Sequence, residues 1–231
     1  MLKSSMMKID ILTLFPKMFK GPFDESIIKR AQKKGLIEIQ THDLRKWTKD
    51  KRKTVDDRPF GGGVGMILMV EPIYKALRDL KNKNSKVILM DPRGRTFNQK
   101  IAGNLAKEKH LIFICGHYEG VDERVKKHLV DEEISIGDYV LTGGELPAMI
   151  IIDTLIRQIP GVLIKPEASS KESFSENLLE YPQYTRPANF KGWKIPEVLL
   201  SGNHRQIAEW RKKKALELTK KRRPDLLKKA V

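Results

Sequence analysis

The sequence predicts an α/β protein with a mainly parallel sheet, followed by a small helical region, and three observations carry this prediction. Hydrophobic residues make up 40% of the 231 residues, which is enough to build a core. Short runs rich in Ile, Val and Phe alternate along the chain with stretches whose apolar residues recur at helical spacing. Several of the short runs are apolar without interruption, as is typical of parallel strands that are buried on both faces.

The predicted strands and helices alternate from the N-terminal region onward. The strands are Lys8–Leu14, Ile37–Thr41, Lys86–Met90, Leu111–Cys115 and Glu133–Ile136. The helices between and after them are Asp24–Lys34, Glu71–Leu80, Asn98–Lys107, Val121–Leu129 and Glu145–Gln158. Alternation of this kind favours crossover connections and therefore parallel neighbouring strands.

These elements predict three parts of the chain. Residues 1–162 form the α/β domain, residues 163–175 form a linker that acts as a lid, and residues 176–231 form a helical domain. The long C-terminal helix is expected to begin after Asn203, whose side chain is a favourable N-cap, and to stop at Pro224, which cannot continue a helix.

The charge of the chain is positive and unevenly distributed. The net charge is +16, and residues 163–231 hold 16 Lys and Arg against 8 Asp and Glu, more than twice the charge density of the preceding residues. A polyanionic partner such as nucleic acid explains this distribution, and so does a lysine-rich surface that only serves solubility. Charge alone does not decide between them.

The cysteine content and the hydropathy of the chain indicate which cellular compartment the protein suits. The single cysteine, Cys115, excludes a disulfide framework and a Cys-rich zinc site, and it suits a reducing compartment. The N-terminal residues show no long apolar run before a cleavage site, so neither a signal peptide nor a membrane span is predicted. The expected location is the cytoplasm.

A glycine-rich motif, TVDDRPFGGGVGM, occupies residues 54–66. It matches neither the P-loop pattern nor the dinucleotide-binding fingerprint. One interpretation is a tight loop that lets two backbone segments approach, with Arg58 paired to an Asp. The other is a loop whose missing side chains let a flat or anionic ligand approach.

Two further motifs lie where predicted strands end. CGHYEGVDERV spans residues 115–125, and SIGDYVLTGGELPAMIIID spans residues 135–153. In the second, Gly137 and the pair Gly143 and Gly144 bracket a loop that offers backbone groups and apolar walls to a planar heterocycle. Ligands of open α/β sheets bind beyond the carboxyl ends of strands, which favours a ligand site here over ordinary connections. His117 stands alone, so a metal site is not predicted.

The motif YPQYTRP, residues 181–187, combines aromatic residues with Pro182 and Pro187. The prolines exclude a regular helix and make the segment stiff. Such a segment can dock a domain or stack against bases, and its composition does not separate the two.

Taken in this order, the four motifs, followed by LLSGNH and a basic helix that contains Trp210, resemble the bacterial tRNA (guanine-37-N1)-methyltransferases, which are enzymes of the SPOUT class. The resemblance covers about residues 8–227. It implies a deep trefoil knot in the α/β domain, a rare exception to the rule that chains do not thread loops. It also implies an obligate homodimer whose active sites lie at the subunit interface.

The resemblance implies that three loops at strand ends bind S-adenosylmethionine. The implied cofactor-binding residues are Leu89, Met90, Asp91, Pro92, Gly116, Tyr118, Glu119, Ile136, Gly137, Asp138, Tyr139, Val140, Leu141, Gly143 and Gly144. It also implies a requirement for Mg²⁺, although the sequence offers no dedicated carboxylate set for that ion.

The implied reaction needs a base, because N1 of guanine carries a proton at neutral pH. A positioned carboxylate typically contributes about 100- to 10,000-fold. By position, Glu172 is the implied base, and Arg157 is the implied residue that stabilises negative charge on O6. The family carries Asp where this chain has Glu172, one methylene longer, and Glu167 and Glu176 are the alternative carboxylates nearby.

The implied substrate is tRNA with guanine at positions 36 and 37, whose methylation supports reading-frame maintenance. Cations of the C-terminal region are expected to contact its phosphates. The predicted tRNA-binding residues are Arg186, Lys212, Lys213, Lys214, Arg222 and Arg223.

Two other functions stay open from the sequence. One is a SPOUT enzyme that methylates ribose or another base, and the other is a catalytically inactive tRNA-binding protein, whose only support is Glu172 in place of Asp. The basic helical region and the linker carboxylate favour the guanine-N1 enzyme. A Rossmann-type methyltransferase is disfavoured, because its glycine-rich first loop and the following acid are not found near the N-terminus.

Overall fold

The structure is a computed structural model that describes residues 6–164 and 172–228. The chain divides into two compact units, Met1–Ile164 and Lys165–Val231. The predicted linker, residues 163–175, falls mostly on residues 165–171, which lie outside the described ones. Its action as a lid therefore stays a prediction.

A five-stranded sheet forms the centre of the first unit, and all of its neighbouring strands are parallel. Its order is β2-β1-β6-β5-β7, so the mainly parallel sheet expected from the sequence is confirmed. The seven strands of this unit, two of which lie outside the central sheet, are β1 (Met7–Thr13), β2 (Ile37–Asp43), β3 (Asp56–Asp57), β4 (Ile67–Leu68), β5 (Ser85–Thr96), β6 (His110–Cys115) and β7 (Glu132–Ser135).

Helices cover both faces of the sheet, which explains the uninterrupted apolar runs. The α-helices are α1 (Ser26–Lys33), α2 (Val70–Leu80), α3 (Gln99–Leu105), α4 (Glu123–Leu129) and α5 (Glu145–Ile156). One core cluster joins Ile88 and Phe113 with apolar residues of α1, α3 and α5, and the other joins Leu89 and Ile112 with those of α2 and α4. Alternate residues of one strand thus serve opposite cores.

Strand β5 is longer than predicted, because it resumes pairing after Pro92. Its register with β7 shifts so that Arg95 and Thr96 pair with Ile134 and Ser135. Gly94 permits this approach, since a Cβ there would lie 2.5 Å from backbone atoms of β7. Pro92 and the charged residues around it are typical of a loop, so sequence periodicity missed this extension.

A buried polar cluster crosses the sheet at Asp10, which has no exposed surface. Its two carboxylate oxygens lie 2.7 Å from Nε2 of His42 and 2.7 Å from Nε2 of His110, and Lys8 Nζ lies 2.9 Å away. Burial alone raises the pKa of this carboxyl group, but hydrogen bonds from His42, Lys8 and His110 outweigh it and lower the pKa from 3.8 to about 2. Asp10 is therefore charged at neutral pH despite its burial.

The second unit contains a short hairpin, β8 (Asn189–Phe190) with β9 (Trp193–Lys194), and two helices, α6 (His204–Arg222) and α7 (Pro224–Leu227). The Asn203 side chain accepts a hydrogen bond from Gln206 N at 3.1 Å, which confirms the predicted N-cap. The prediction that α6 stops at Pro224 is also confirmed, and Pro224 begins α7 at its first position.

The core of the second unit is small. Its buried side chains include Ala215, Thr219 and Leu226. The Thr219 hydroxyl donates to Ala215 O at 2.7 Å and accepts from Leu179 N at 2.8 Å, so it ties residues before the hairpin to α6. Among the described residues of both units, no helix has the length and apolar character needed to cross a membrane.

Candidate active site

Three segments of the first unit meet at one edge of the sheet, namely the bend of β5 at residues 90–93 and the loops that follow β6 and β7. These strands are parallel neighbours, so their carboxyl ends lie at the same edge of the sheet. The loops enclose a cavity of about 340 Å³, within the size range of small-molecule sites. All the residues implied as cofactor-binding line this cavity except Leu89 and Asp138.

The two exceptions have separate reasons. Leu89 is fully buried in the core formed with α2 and α4, so its side chain serves packing. Asp138 is exposed and does not line the cavity. Conversely, Arg93 and His117 line the cavity although they were not among the predicted binding residues. Each lies beside predicted residues in the same loop, and that adjacency was the signal available in the sequence.

Backbone hydrogen bonds fix the loops to one another. Gly144 N donates to Gly116 O at 2.8 Å, and His117 and Gly143 form an isolated antiparallel bridge. A Cβ on Gly144 would lie 2.7 Å from the Cα of Cys115 and 2.9 Å from Gly116 N. The two loops therefore pack backbone against backbone, which no residue other than glycine allows at position 144.

The glycine-rich motif of residues 54–66 supports this site from outside the cavity. Glu119 N donates to Met66 O at 3.0 Å, and a Cβ on Gly65 would lie 2.4 Å from the Glu119 side chain. Gly65 thus leaves the space that the Glu119 side chain occupies, and the contact between the two backbones lies beside it at Met66. All four glycines of the motif have positive φ, which explains why glycine occupies these positions.

An apolar wall closes one side of the cavity. Gly137, at φ 148°, turns the chain so that Tyr139 N donates to Gly137 O at 3.0 Å. Tyr139, Val140 and Leu141 follow and all remain exposed. Exposed apolar and aromatic side chains at the edge of a cavity suit a planar heterocycle.

A buried ion pair holds β5 at the point where its register with β7 shifts. The Asp91 carboxylate, which lines the cavity, accepts hydrogen bonds from the buried ammonium of Lys126 and from Arg93 N, the latter at 2.9 Å. Lys126 Nζ also lies 3.7 Å from Glu133. Burial, and then repulsion from Asp91, raises the pKa of Glu133. The Asp91 carboxylate thus has its charge balanced within the protein and fixes the turn that faces the cavity.

Glu145 begins α5 behind the cavity and is also buried. It accepts a hydrogen bond from the Thr13 hydroxyl at 2.6 Å. Burial and then the nearby Glu145 charge raise the pKa of the Cys115 thiol. Cys115 therefore stays protonated at neutral pH, which excludes it as a nucleophile.

His117 has an unusual environment in the wall of the cavity. Its ring centroid lies 4.9 Å from that of Phe15 and 4.8 Å from that of Tyr118. Its Nδ1 is buried and has no hydrogen-bond partner among the described residues. Within residues 6–164 and 172–228, no group of three or more His, Cys, Asp and Glu side chains is placed to hold a metal ion.

The two residues with implied catalytic roles belong to different units. Arg157 caps the C-terminal end of α5 in the first unit. Glu172 belongs to the second unit, where its backbone O accepts hydrogen bonds from Ser175 N at 3.3 Å and from the Ser175 hydroxyl at 2.6 Å. The alternative carboxylate Glu176 is described, whereas Glu167 lies outside the described residues.

The cations predicted to contact tRNA differ in what they already bind. Arg186, Lys212, Lys213 and Arg222 are exposed. Lys214, by contrast, lies 2.7 Å from a Glu217 carboxylate oxygen. Arg223 lies 2.7 Å from Asp225 and 5.8 Å from the centre of the Phe174 ring. Lys214 and Arg223 therefore pair with carboxylates of the chain, which makes Arg186, Lys212, Lys213 and Arg222 the better candidates for phosphate contacts.

Comparison with known proteins places the chain in a family. The model of the family described as tRNA (Guanine-1)-methyltransferase TrmD matches residues 7–229. The chain belongs to the TrmD family. A TrmD relative from Dictyoglomus turgidum, named tRNA (guanine-N(1)-)-methyltransferase, is 60% identical over 224 residues, which are 97% of this chain and 91% of the relative.

Two further TrmD relatives carry the same name. That of Carboxydothermus hydrogenoformans is 59% identical, over 96% of this chain and 88% of the relative. That of Moorella thermoacetica is 57% identical, over 96% of this chain and 90% of the relative. The family resemblance inferred from the motifs is thus confirmed.

Proposed function

We propose that this protein transfers a methyl group from S-adenosylmethionine to N1 of guanine 37 in tRNA that also carries guanine at position 36. The observation that carries the proposal is the cavity formed by the bend of β5 and the loops after β6 and β7, which is lined by nearly all the residues implied as cofactor-binding. The names of the TrmD relatives support the reaction. The proposal includes the cytoplasm as location and reading-frame maintenance as the role.

The residues around the cavity fit this cofactor. Gly137, Gly143 and Gly144 let the lining segments pack closely on one another, and the wall at Tyr139 and Leu141 suits an adenine ring. His117 Nδ1 has no protein partner among the described residues and can serve a polar group of the ligand. When bound, the cofactor supplies an electrophilic methyl group on sulfur. The loops hold it in one orientation because they are fixed to one another by backbone hydrogen bonds.

Glu172 is the proposed base. Its carboxylate takes the proton from guanine N1, which makes N1 a nucleophile while negative charge moves toward O6. The guanidinium of Arg157 is the proposed group that stabilises this charge. A basic surface that includes Lys212 and Lys213 holds the tRNA through its phosphates.

Three further features implied by the resemblance belong to this proposal. The close packing of Gly144 on Cys115 and Gly116 supports a deep trefoil knot in the first unit. Leu146 and Ile150, one turn apart on α5, are both 47% exposed although α5 is apolar, which supports a homodimer with active sites at the interface. The Mg²⁺ requirement stays a prediction without a protein site, and no catalytic step is assigned to the ion.

Single-turnover methyl transfer tests the assignment of the base. Glu172→Gln keeps the size of the side chain but removes the carboxylate, so the rate is expected to fall by about 100- to 10,000-fold. Glu172→Asp restores the family's residue and is expected to retain most of the rate. The matched control is Glu176→Gln, four residues along, which is expected to react like the unchanged protein.

The substrates separate the alternatives. Labelled methyl is expected on tRNA with guanine at position 37 and not on tRNA with adenine there. Transfer to ribose or to another base would favour a different SPOUT enzyme, and binding without transfer would favour an inactive tRNA-binding protein. A near-normal rate for Glu172→Gln would rule out Glu172 as the base.

A further inference from the structure

The hairpin of β8 and β9 has a defined and exposed geometry. Its turn residues, Lys191 at φ 52° and Gly192 at φ 88°, both take the positive φ that two-residue hairpins of type I′ require. Gly192 N donates to the side chain of Asn189 at 2.9 Å, and Ile195 N donates to Ala188 O at 3.1 Å. These bonds fix the register of the two strands.

The register places two aromatic rings on one face. Phe190 and Trp193 are direct cross-strand partners, so their side chains project on the same side of the hairpin. Their ring centroids lie 5.8 Å apart. Phe190 is 51% exposed and Trp193 is 74% exposed, so more than half of each of these residues is open to solvent. A two-stranded hairpin gains little stability from aromatic residues left in water.

Two nearby aromatic residues behave differently. The Arg211 guanidinium lies 4.9 Å from the centre of the Tyr181 ring, and the Tyr184 ring lies 6.4 Å from that of Trp210. Both tyrosines therefore pack residues 181–187 against α6 within the second unit. This supports a docking role for the YPQYTRP motif and leaves the hairpin as the aromatic surface that internal packing does not explain.

The charge around the rings indicates the kind of ligand. Lys191 Nζ lies 5.7 Å from the centre of the Phe190 ring, and Lys194 follows Trp193 on β9. Residues 181–196 contain three cations and no carboxylate. Aromatic faces with neighbouring cations suit unpaired nucleotides, because bases stack on the rings and phosphates pair with the ammonium groups. A second copy of this chain, itself at +16, lacks that complementarity.

We propose that the Phe190 and Trp193 face of the hairpin is a stacking site for an unpaired nucleotide of the RNA substrate. This inference rests on the proposed function, in which the substrate is tRNA. The stacking site adds a second kind of contact to the phosphate contacts of α6. Stacking of a base on a ring depends much less on salt than pairing of charges does.

Affinity measurements on the full-length protein test the proposal. Trp193→Ala is expected to weaken binding of a tRNA transcript with guanines 36 and 37 by about 5- to 100-fold, since stacking contributes about 1–3 kcal/mol per base. The slope of log Kd against log salt is expected to stay unchanged, because no cation is removed. Trp193→Phe keeps an aromatic face and is expected to recover most of the affinity. The matched control is Leu200→Ala, which truncates another exposed apolar side chain of the second unit.

Fluorescence gives a second readout. With Trp47 and Trp210 replaced by Phe, Trp193 is the one remaining tryptophan of the chain. Titration with the transcript is expected to quench the emission of Trp193. The quenching is expected to persist at salt concentrations at which the Lys212→Glu variant already binds the transcript more weakly. Quenching by the transcript but not by duplex RNA supports stacking of an unpaired base.

Three outcomes would overturn the inference. They are a Trp193→Ala affinity within twofold of the unchanged protein, failure of Trp193→Phe to recover an affinity that Trp193→Ala lost, and a change in oligomeric state of Trp193→Ala at unchanged tRNA affinity. Because these readouts measure binding, they remain distinct from the proposed function. A protein that binds tRNA through Trp193 but methylates no guanine would contradict only the latter.

Discussion

In the first unit, the candidate cofactor cavity is built from backbone segments held at close distance, whereas in the second unit the candidate tRNA surface is built from side chains that extend into water. Gly144 packs against the backbone of Cys115, but Lys212 and Lys213 on α6 are exposed. A small substitution at the cavity of the first unit must therefore move the backbone. A substitution on the surface of the second unit changes one side-chain contact among many. The two units are expected to differ sharply in how they tolerate substitution.

Gly144→Ala is expected to have the largest effect. The added Cβ would meet backbone atoms 2.7 and 2.9 Å away, which cannot move as a flexible side chain can. We expect a loss of about 2 kcal/mol in the free energy of unfolding and at least about 10-fold weaker binding of S-adenosylmethionine. Thermal unfolding and calorimetric titration measure the two effects.

The control for that variant is Gly103→Ala. A Cβ at this position of α3 would meet no atom within 4 Å, so the variant is expected to be neutral or slightly stabilising. If Gly144→Ala binds the cofactor as well as Gly103→Ala does, the cavity does not depend on backbone contact as described.

Asp10→Asn tests whether the stability of the first unit depends on a buried charge. The described buried side chains of the second unit include no charged group. Because the pKa of Asp10 is lowered from 3.8 to about 2, its ionised form stabilises the fold above pH 4, and this stability is lost as the pH falls toward 2. Asp10→Asn is therefore expected to lower the free energy of unfolding by about 2 kcal/mol at neutral pH. The difference from the unchanged protein should shrink below pH 4.

Urea unfolding between pH 7 and pH 2 measures this dependence. Asp50→Asn is the matched control, because Asp50 is exposed and its main partner is the neighbouring Thr54. A constant difference between Asp10→Asn and the unchanged protein down to pH 2 would show that the charge of Asp10 does not stabilise the fold.

The pair Lys212→Glu and Lys213→Glu is expected to give the smallest effect, several-fold in KM for tRNA at physiological salt. Each lost phosphate contact lowers the salt slope of binding by about 0.9. Steady-state kinetics at several salt concentrations measure both quantities. Lys107→Glu with Lys109→Glu on the first unit makes the same change in net charge and is expected to alter KM less. An equal effect of both pairs would indicate a general charge effect instead of a binding face.

The elements that could be predicted from the sequence are those that a single local pattern of residues indicates. Short runs rich in Ile, Val and Phe predicted all five strands of the sheet, and glycines after two of these strands predicted two of the three segments around the cavity. The hairpin of β8 and β9 was missed, since two-residue strands show no periodicity. The helix predicted over Val121–Leu129 begins at Glu123 instead, because Asp122 is its N-cap.

Other features depend on residues far apart in the chain. The bond between Thr13 and Glu145 joins residues 132 positions apart, and nothing near either residue indicates it. Lys126 has the sequence context of a solvent-facing cation, yet it is buried because Asp91 and Glu133 converge on it from neighbouring strands. Such contacts follow from the order of the strands, which the sequence pattern did not determine.

The buried thiol of Cys115 has a practical consequence for measuring this protein. It is the single cysteine of the chain, it is inaccessible, and its raised pKa keeps it protonated. Thiol-reactive dyes and spin labels react with accessible thiolates, so the native fold leaves this residue unmodified. A cysteine introduced at an exposed position such as Ala188 would thus be labelled selectively in the natural background, which provides a direct spectroscopic reporter of the hairpin as RNA is added.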